Sequence, residues 1–154
     1  MKILKTLLMS FILLAAFSSC KTKNNSQRVQ IYPKPRLLII AETGNISEKS
    51  EGYTIESAEI KDNLLTMNVT FDCGCNPHQF HFVGSEMIAK SLPPIRSVKL
   101  VLKKVGDEEM KPCNEKYTQV IDVEISNMAY QQIPGNQIYL NLDGFAERLM
   151  YTFN

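Results

Sequence analysis

Apolar and polar residues alternate along much of this chain of 154 residues, and this period of two restricts it to folds built from strands. Residues 65–73 show the pattern most clearly, because every second side chain from Leu65 to Cys73 is apolar. Such a segment is typical of a strand with one face in the core and the other in water. The same alternation recurs at 98–102, 121–125, 138–142 and 149–153.

Two earlier segments are less regular. Residues 36–43 hold a continuous apolar run, which predicts a more deeply buried strand. Within 53–60 the alternation changes phase near Glu56 or Ser57, and a β-bulge there would explain the shift. The polar triplet 61–63 predicts a hairpin-like connection to the next strand.

Turn signals separate about eight short strands, and residues 85–91 are the one place where a single helical turn is expected. Regularly spaced short strands without crossover helices are typical of antiparallel sandwiches and barrels. We therefore predict an all-β fold, an antiparallel β-sandwich that is immunoglobulin-like in the loose architectural sense. The chain has no tryptophan, so the Cys–Trp–Cys core of antibody domains is absent.

The first twenty residues have the order of a secretory signal. Two lysines precede the apolar run 7–17, and two serines separate that run from Cys20. The run is shorter than the roughly 20 residues needed to span a bilayer. A cysteine in this place resembles the lipobox of bacterial lipoproteins, where it begins the mature chain and carries diacylglycerol and palmitate groups. An ordinary cleaved signal is the alternative.

The chain is therefore divided into a signal peptide at 1–19, a lipidated Cys20 with a flexible polar tether at 20–28, and a β-sandwich domain at 29–154. Lys21 follows the cysteine, and by resemblance to Gram-negative sorting rules this favours the outer membrane. Loss of the signal peptide removes two lysines and takes the formal net charge from +1 to −1. A nearly neutral domain lacks the basic footprint of a nucleic-acid-binding protein, so we expect no nucleic-acid partner.

The stretch FDCGCNPHQFHF, residues 71–82, contains two of the four cysteines and both histidines. An oxidising envelope favours pairing among the three cysteines of the mature domain. A Cys75–Cys113 disulfide is the first interpretation, because the strand alternation points Cys73 into the core. It would close a loop of about 38 residues and add on the order of 4 kcal/mol in the loop-entropy model. A Cys73–Cys113 disulfide is the alternative.

The same stretch offers a metal site as a second interpretation, with Cys73, Cys75 and His78 as ligands of zinc or copper. Strand geometry argues against it. If the phenylalanines of HQFHFV point inward, His78 shares their face and His81 lies on the opposite one. The spacing also differs from that of paired C-x2-C zinc knuckles. We expect no metal and no other cofactor.

Catalytic chemistry has little support in the sequence. A cysteine nucleophile requires a base and a group that orients the base. His78 follows Cys75 closely, but no third group can be identified, and disulfide formation would quench the thiol. There is also no glycine-rich phosphate loop. The chain is therefore expected not to be an enzyme, with an enzyme of unrecognised site as a third option.

Several short motifs follow one another in the order Cys75-x2-His78-x-Phe80, KSLPP at 90–94, an apolar strand, Cys113 and LDGFAERLMYTF. This order resembles a group of small, largely uncharacterised envelope lipoproteins of Gram-negative bacteria, over roughly residues 53–154. The resemblance implies a lipid-anchored β-domain and brings no catalytic residues with it.

The sequence therefore predicts a lipid-anchored protein of the outer membrane that acts as a non-catalytic binding or structural module. Its expected partners are the membrane, through the anchor, and an unidentified protein or glycan. A metal-binding envelope protein is the alternative. Tyr130 and Tyr139 are candidates for exposed aromatic anchors of an interface, and packing against the sheet edge is the other interpretation of both.

Overall fold

A computed structural model describes residues 36–72, 78–105 and 116–154. The elements are β1 (Arg36–Gly44), β2 (Tyr53–Lys61), β3 (Leu64–Asp72), β4 (His78–Ala89), β5 (Ile95–Lys104), β6 (Lys116–Glu124), a 3₁₀ helix (Ser126–Met128), β7 (Gln137–Leu142) and β8 (Arg148–Thr152). The predicted all-β fold of about eight strands is confirmed.

The strands form one sheet in the order β2-β3-β6-β1-β4-β5-β7-β8. Strand β1 joins its two halves, because residues 36–40 pair with β6 and residues 41–44 pair with β4. The halves enclose one apolar core to which both contribute. A strand that is shared between two halves in this way is a known means of turning the corner of a β-sandwich.

The strand pairing is mixed, whereas the sequence predicted antiparallel pairing throughout. The pairs β1–β4, β1–β6 and β5–β7 are parallel, and the other four pairs are antiparallel. The β2–β3 hairpin lies between β1 and β4 in the chain and brings β4 back in the direction of β1, so no crossover helix is needed. Alternation shows which face of a strand is buried but does not identify its neighbour.

Inward-facing residues follow the predicted alternation in most strands. In β3, for example, Leu65, Met67 and Val69 are fully buried, while the residues between them reach the surface. The register of β2 against β3 shifts between Ile55 and Ser57, which confirms the predicted bulge.

Strand β1 is less buried than its apolar sequence predicted. Leu38 and Ile40 are 66% and 63% exposed, and Ala41 is the buried residue of this strand. No described element covers the outer face of residues 36–40, so their apolar side chains meet solvent. The helical turn expected at 85–91 is also wrong, because β4 continues to Ala89 through an irregularity between Gly84 and Ile88.

Residues 45–52, here called the strap, form hydrogen bonds with the part of β5 that does not pair with β7. Strand β7 pairs with β5 only along residues 95–98. Further along β5, the Leu102 amide donates to Ser50 Oγ and the Glu51 amide donates to the Leu102 carbonyl, both at 2.9 Å. The strap therefore shields an edge that would otherwise expose unpaired backbone groups.

The two ends of the sheet are distinct. The cysteine end is where Asp72 pairs with Lys116 and His78 pairs with Lys104, next to the two undescribed segments. The turn end is formed by the β4 irregularity at 85–88, the turn 90–94 and the segment 129–136. Within the described stretches, no helix is long and apolar enough to cross a membrane.

Candidate functional site

The predicted lipid site and disulfide fall on Cys20, Cys73, Cys75 and Cys113, all of which lie outside the described residues. The strands that flank the last three are described. Strand β3 leads into segment 73–77, and β6 follows segment 106–115, with these two strands paired along their length. Strand β3 therefore ends, and β6 begins, at the cysteine end.

The two histidines lie on opposite faces of β4, as the alternation predicted. The ring of His78 packs edge-on against Phe71, with 5.0 Å between ring centroids, on the face that buries Phe80. His81 lies on the outer face, near Glu48 of the strap. Among the described residues, no three His, Cys, Asp or Glu side chains come together in a way that could hold a metal ion.

Burial lowers the pKa of His78, and the positive charge of Lys104 acts in the same direction, while Glu51 opposes them. The imidazole beside Phe71 is therefore held in its neutral form over a wider pH range than a free histidine. A neutral imidazole suits a ring that packs against aromatic side chains at the cysteine end of the core.

Two surface clefts are lined by neither histidine. One, at the cysteine end, is lined by Tyr53, Phe71 and Lys116 among others. The second lies between the end of β1 and the strap, where Glu42 and Glu48 face Val83. Neither of these clefts includes His78 or His81, so neither combines an imidazole with a carboxylate as a general acid–base site would.

Four large apolar side chains are exposed at the turn end. They are Met87 in the β4 irregularity, Leu92 in the turn 90–94, and Tyr130 and Ile133 in the segment 129–136. Met87 is 83% exposed and Leu92 is fully exposed. Exposed apolar residues that gather in one region, unlike scattered ones, mark interaction sites in soluble domains.

Backbone hydrogen bonds fix the loops that carry these side chains. The Tyr139 amide of β7 donates to the Pro94 carbonyl at 2.8 Å, and the Gly135 amide donates to the Phe153 carbonyl at 2.9 Å. The Met87 amide donates to Ser85 Oγ at 3.1 Å. Tyr130 is half exposed, as an interface anchor would be, whereas Tyr139 is partly buried in its strand. The turn end is therefore an ordered surface with apolar projections.

Arg96 lies beneath this surface and is only 6% exposed. Its Nη1 donates to the Ser85 carbonyl at 2.7 Å, and its Nη2 reaches the Ala129 carbonyl at 3.5 Å. Its Nε has no hydrogen-bond partner among the described residues. Burial lowers the pKa of Arg96, and no Asp or Glu of the described chain lies within ion-pair distance of it.

The stem of Arg96 passes through a gap that a glycine provides. A Cβ at Gly84 would clash with Met128 Sδ and would lie 3.2 Å from Arg96 Cδ. Met128 comes from the 3₁₀ helix and is fully buried. Gly84 therefore allows the 3₁₀ helix and the arginine to approach the same point of β4.

Sequence reasoning did not identify Arg96. A signal was present, since Arg96 stands two residues before Val98 in the series Val98, Leu100, Leu102 that points inward. An arginine at an inward position of a strand is a sign of a buried cation. The exposed residues Leu92 and Ile133 had no such signal, because apolar loop residues carry no periodicity.

No family model matches the chain, and no curated protein matches it. Among solved structures, one that is similar is a NigD-like immunity protein from Bacteroides caccae, with a TM-score of 0.53 and 17% identity over 77% of this chain. The chain spans 65% of that structure's length. A protein of unknown function from Bacteroides vulgatus is matched over 79% of this chain and 58% of its own, with a TM-score of 0.46 and 14% identity. At these identities the likeness to the immunity protein establishes the all-β fold alone.

Proposed function

We propose that this protein is a lipid-anchored module of the cell envelope that binds a protein partner through the turn end and performs no catalysis. The observation that carries the proposal is the exposure of Met87, Leu92, Tyr130 and Ile133 in the segments that form the turn end. A tyrosine and a methionine next to the residues that bind a buried arginine have the composition of an interface centre, where Tyr, Met and Arg are enriched.

The anchor rests on the sequence of residues 1–28. An apolar run too short to span a bilayer ends at Cys20, and a polar tether follows it. Several acyl chains on one residue hold a protein stably at a membrane, whereas one chain holds it only marginally. Intact-mass measurement of the mature protein, with Cys20→Ala as control, tests this part by the presence of acyl groups on a chain that begins at residue 20.

The binding surface is tested by photo-crosslinking in intact cells. A photoreactive phenylalanine analogue is placed at Leu92 or at Ile133, both exposed at the turn end, and at Glu59, exposed in β2, as the matched control. The proposal predicts one discrete crosslinked protein from both turn-end positions and none from position 59. The same products from all three positions, or none from the turn end, would contradict it.

The two alternative functions, metal binding and catalysis, predict different experimental results in the same cells. A metal-binding protein would copurify with zinc or copper and with free thiols at Cys73 and Cys75. An enzyme would turn over a small molecule at a cleft, and blocking the turn end would leave that activity unchanged.

A further inference from the structure

Arg36 and Arg96 differ in the hydrogen-bond partners of Nε and Nη2, the two nitrogens that form the side-on donor fork of a guanidinium. In Arg36, Nε and Nη2 donate to the two carboxylate oxygens of Asp122, at 2.9 and 2.8 Å. This is the bidentate geometry that makes arginine suited to recognise carboxylates. Arg36 therefore shows what a filled fork looks like in this fold.

The corresponding Nε–Nη2 fork of Arg96 has almost no hydrogen-bond acceptors. Its Nε has none among the described residues, and its Nη2 has only the Ala129 carbonyl at 3.5 Å, which is longer than the usual 2.7–3.2 Å of a protein hydrogen bond. The firm contact is made on the other side of the guanidinium, where Nη1 donates to Ser85. Arg96 is thus oriented by Ser85 with its carboxylate-binding side turned toward the Ala129 carbonyl.

We propose that the Nε–Nη2 fork of Arg96 receives a carboxylate of the protein partner, which replaces the Ala129 carbonyl as the acceptor for Nη2. This inference rests on the proposed function, because it supplies the chemistry by which the turn end recognises its partner. A guanidinium that is 6% exposed and lacks a counter-charge among the described residues gains most from an anion that arrives on binding.

The surroundings of Arg96 favour a carboxylate within an apolar protein segment over a phosphate. Tyr130 directly follows Ala129, and Met87 lies two residues beyond Ser85, so both hydrogen-bond acceptors of the guanidinium are flanked by exposed apolar side chains. The turn 90–94 has one basic residue, Lys90, and Glu86 lies beside Ser85, so the turn end has no excess of positive charge to attract a dianion. The partner is therefore a peptide segment with one carboxylate, from an acidic side chain or a chain terminus, between apolar residues.

Side-chain NMR of the full chain in detergent micelles tests this directly. The protein is labelled with ¹⁵N-arginine and with ¹³C-methyl leucine and isoleucine, and the Nε–Hε signal of Arg96 is assigned by elimination, with Lys variants of the other three arginines, Arg28, Arg36 and Arg148. Three probe peptides are titrated: acetyl-Leu-Glu-Leu-amide, acetyl-Leu-Leu-Leu with a free C-terminal carboxylate, and acetyl-Leu-Gln-Leu-amide as the uncharged match. Arg36 serves as the internal reference because its fork is already filled.

The proposal predicts a saturable shift of the Arg96 signal with at least one carboxylate peptide, no shift with the glutamine peptide, and no change at Arg36. The peptide that acts tells whether the carboxylate comes from a side chain or from a terminus. No shift of Arg96, or equal shifts with the glutamine peptide, would overturn the proposal. If the peptides then perturb the methyl groups of Leu92 and Ile133 but not Arg96, the binding surface stands and the assigned chemistry does not.

A variant adds a quantitative test. Arg96→Lys keeps the positive charge but cannot present two parallel donors, so affinity for the active peptide should fall about tenfold. Arg148→Lys, on exposed β8, is the matched control and should leave it unchanged. The wild-type titration decides the question by itself if the Arg96 variant fails to fold.

Discussion

The hydroxyl of Tyr151 in β8 donates a hydrogen bond to Oδ1 of Asn63, 2.8 Å away in the turn between β2 and β3. The Asn63 side chain also donates to the Asn154 carbonyl at 2.8 Å. Strands β2 and β8 are the two edges of the sheet, so these contacts tie its first edge to its last. Burial, with the nearby charge of Glu124, raises the pKa of Tyr151 to about 12, so the hydroxyl stays a donor at any physiological pH.

Replacement of this tyrosine measures the strength of the closure. Tyr151→Phe removes the hydroxyl from a fully buried site and should lower the free energy of unfolding by about 1 kcal/mol, within a range of 0.5–2. Urea unfolding measures the change. Tyr130→Phe, at a half-exposed tyrosine, is the control and should change stability by less than about 0.5 kcal/mol. Equal effects of both variants would mean that the Asn63 bond adds nothing.

The close approach at Gly84 predicts a specific packing defect. Gly84→Ala places a methyl group against Met128 Sδ and should destabilise the fold by about 1–3 kcal/mol. Gly52→Ala is the matched control, because nothing lies within 4 Å of its Cβ position. Adding Met128→Ala to the Gly84→Ala chain should cost less than Met128→Ala alone, since the first change has already displaced the methionine. Strictly additive costs would show that the two residues do not meet.

The ion pair on the outer face predicts a pH dependence. Asp122 accepts hydrogen bonds from Arg36 and Thr66, and the Arg36 bond is the main cause of the lowered pKa of its carboxyl group. A carboxyl whose pKa is lower when folded adds stability above its unfolded pKa of about 3.9, and this stability is lost as the pH falls through the folded pKa.

Asp122→Asn should therefore destabilise the protein at neutral pH by about 1–2 kcal/mol, a modest figure because the Arg36 side chain is 62% exposed. The difference from wild type should shrink when urea unfolding is repeated at about pH 3. Asp143→Asn, at a 66% exposed carboxylate that lies 3.8 Å from Lys99 Nζ, is the control for a weak surface ion pair. A difference that stays constant or grows with acid would contradict the assignment of the stability to this ion pair.

Much of the fold was predictable because alternation reports burial directly. It predicted a bulge near Glu56 or Ser57, where the register shifts between Ile55 and Ser57, and it set His78 and His81 on opposite faces. The alternation failed to predict burial where burial depends on segments that are distant in the sequence. The run at Leu38 and Ile40 reads as buried, yet no described element covers it.

The candidate site was harder to predict than the strands. Tyr130 was identified as a candidate anchor, but the burial of Arg96 with its orphaned Nε depends on how β4, β5 and the 3₁₀ helix meet at Gly84. Contacts between segments so far apart in sequence leave no local pattern. Strand neighbours were unpredictable for the same reason, since parallel pairing of β1 with β4 is set by the intervening hairpin.

Cys73, Cys75 and Cys113 lie outside the described residues, so the choice between the Cys75–Cys113 and Cys73–Cys113 disulfides is made by a measurement.

Free-thiol counting in denaturant without reductant tests the pairing. If Cys20 is lipidated as proposed, the mature protein should have one free thiol, Cys73. Cys75→Ser should raise the count to two, and Cys73→Ser should lower it to zero. The opposite result for the two variants would establish Cys73–Cys113, and three free thiols in the wild type would exclude both disulfides.

The central claim, that a partner covers the turn end in the envelope, is tested most directly by methionine oxidation. Met87 is 83% exposed, whereas Met67 and Met128 are fully buried and serve as internal references. Mild peroxide treatment of the purified protein and of intact cells is followed by mass spectrometry of the three methionines. The account predicts rapid oxidation of Met87 in the purified protein and clear protection in cells, with both references unreactive throughout. Equal reactivity of Met87 in the two settings would contradict it.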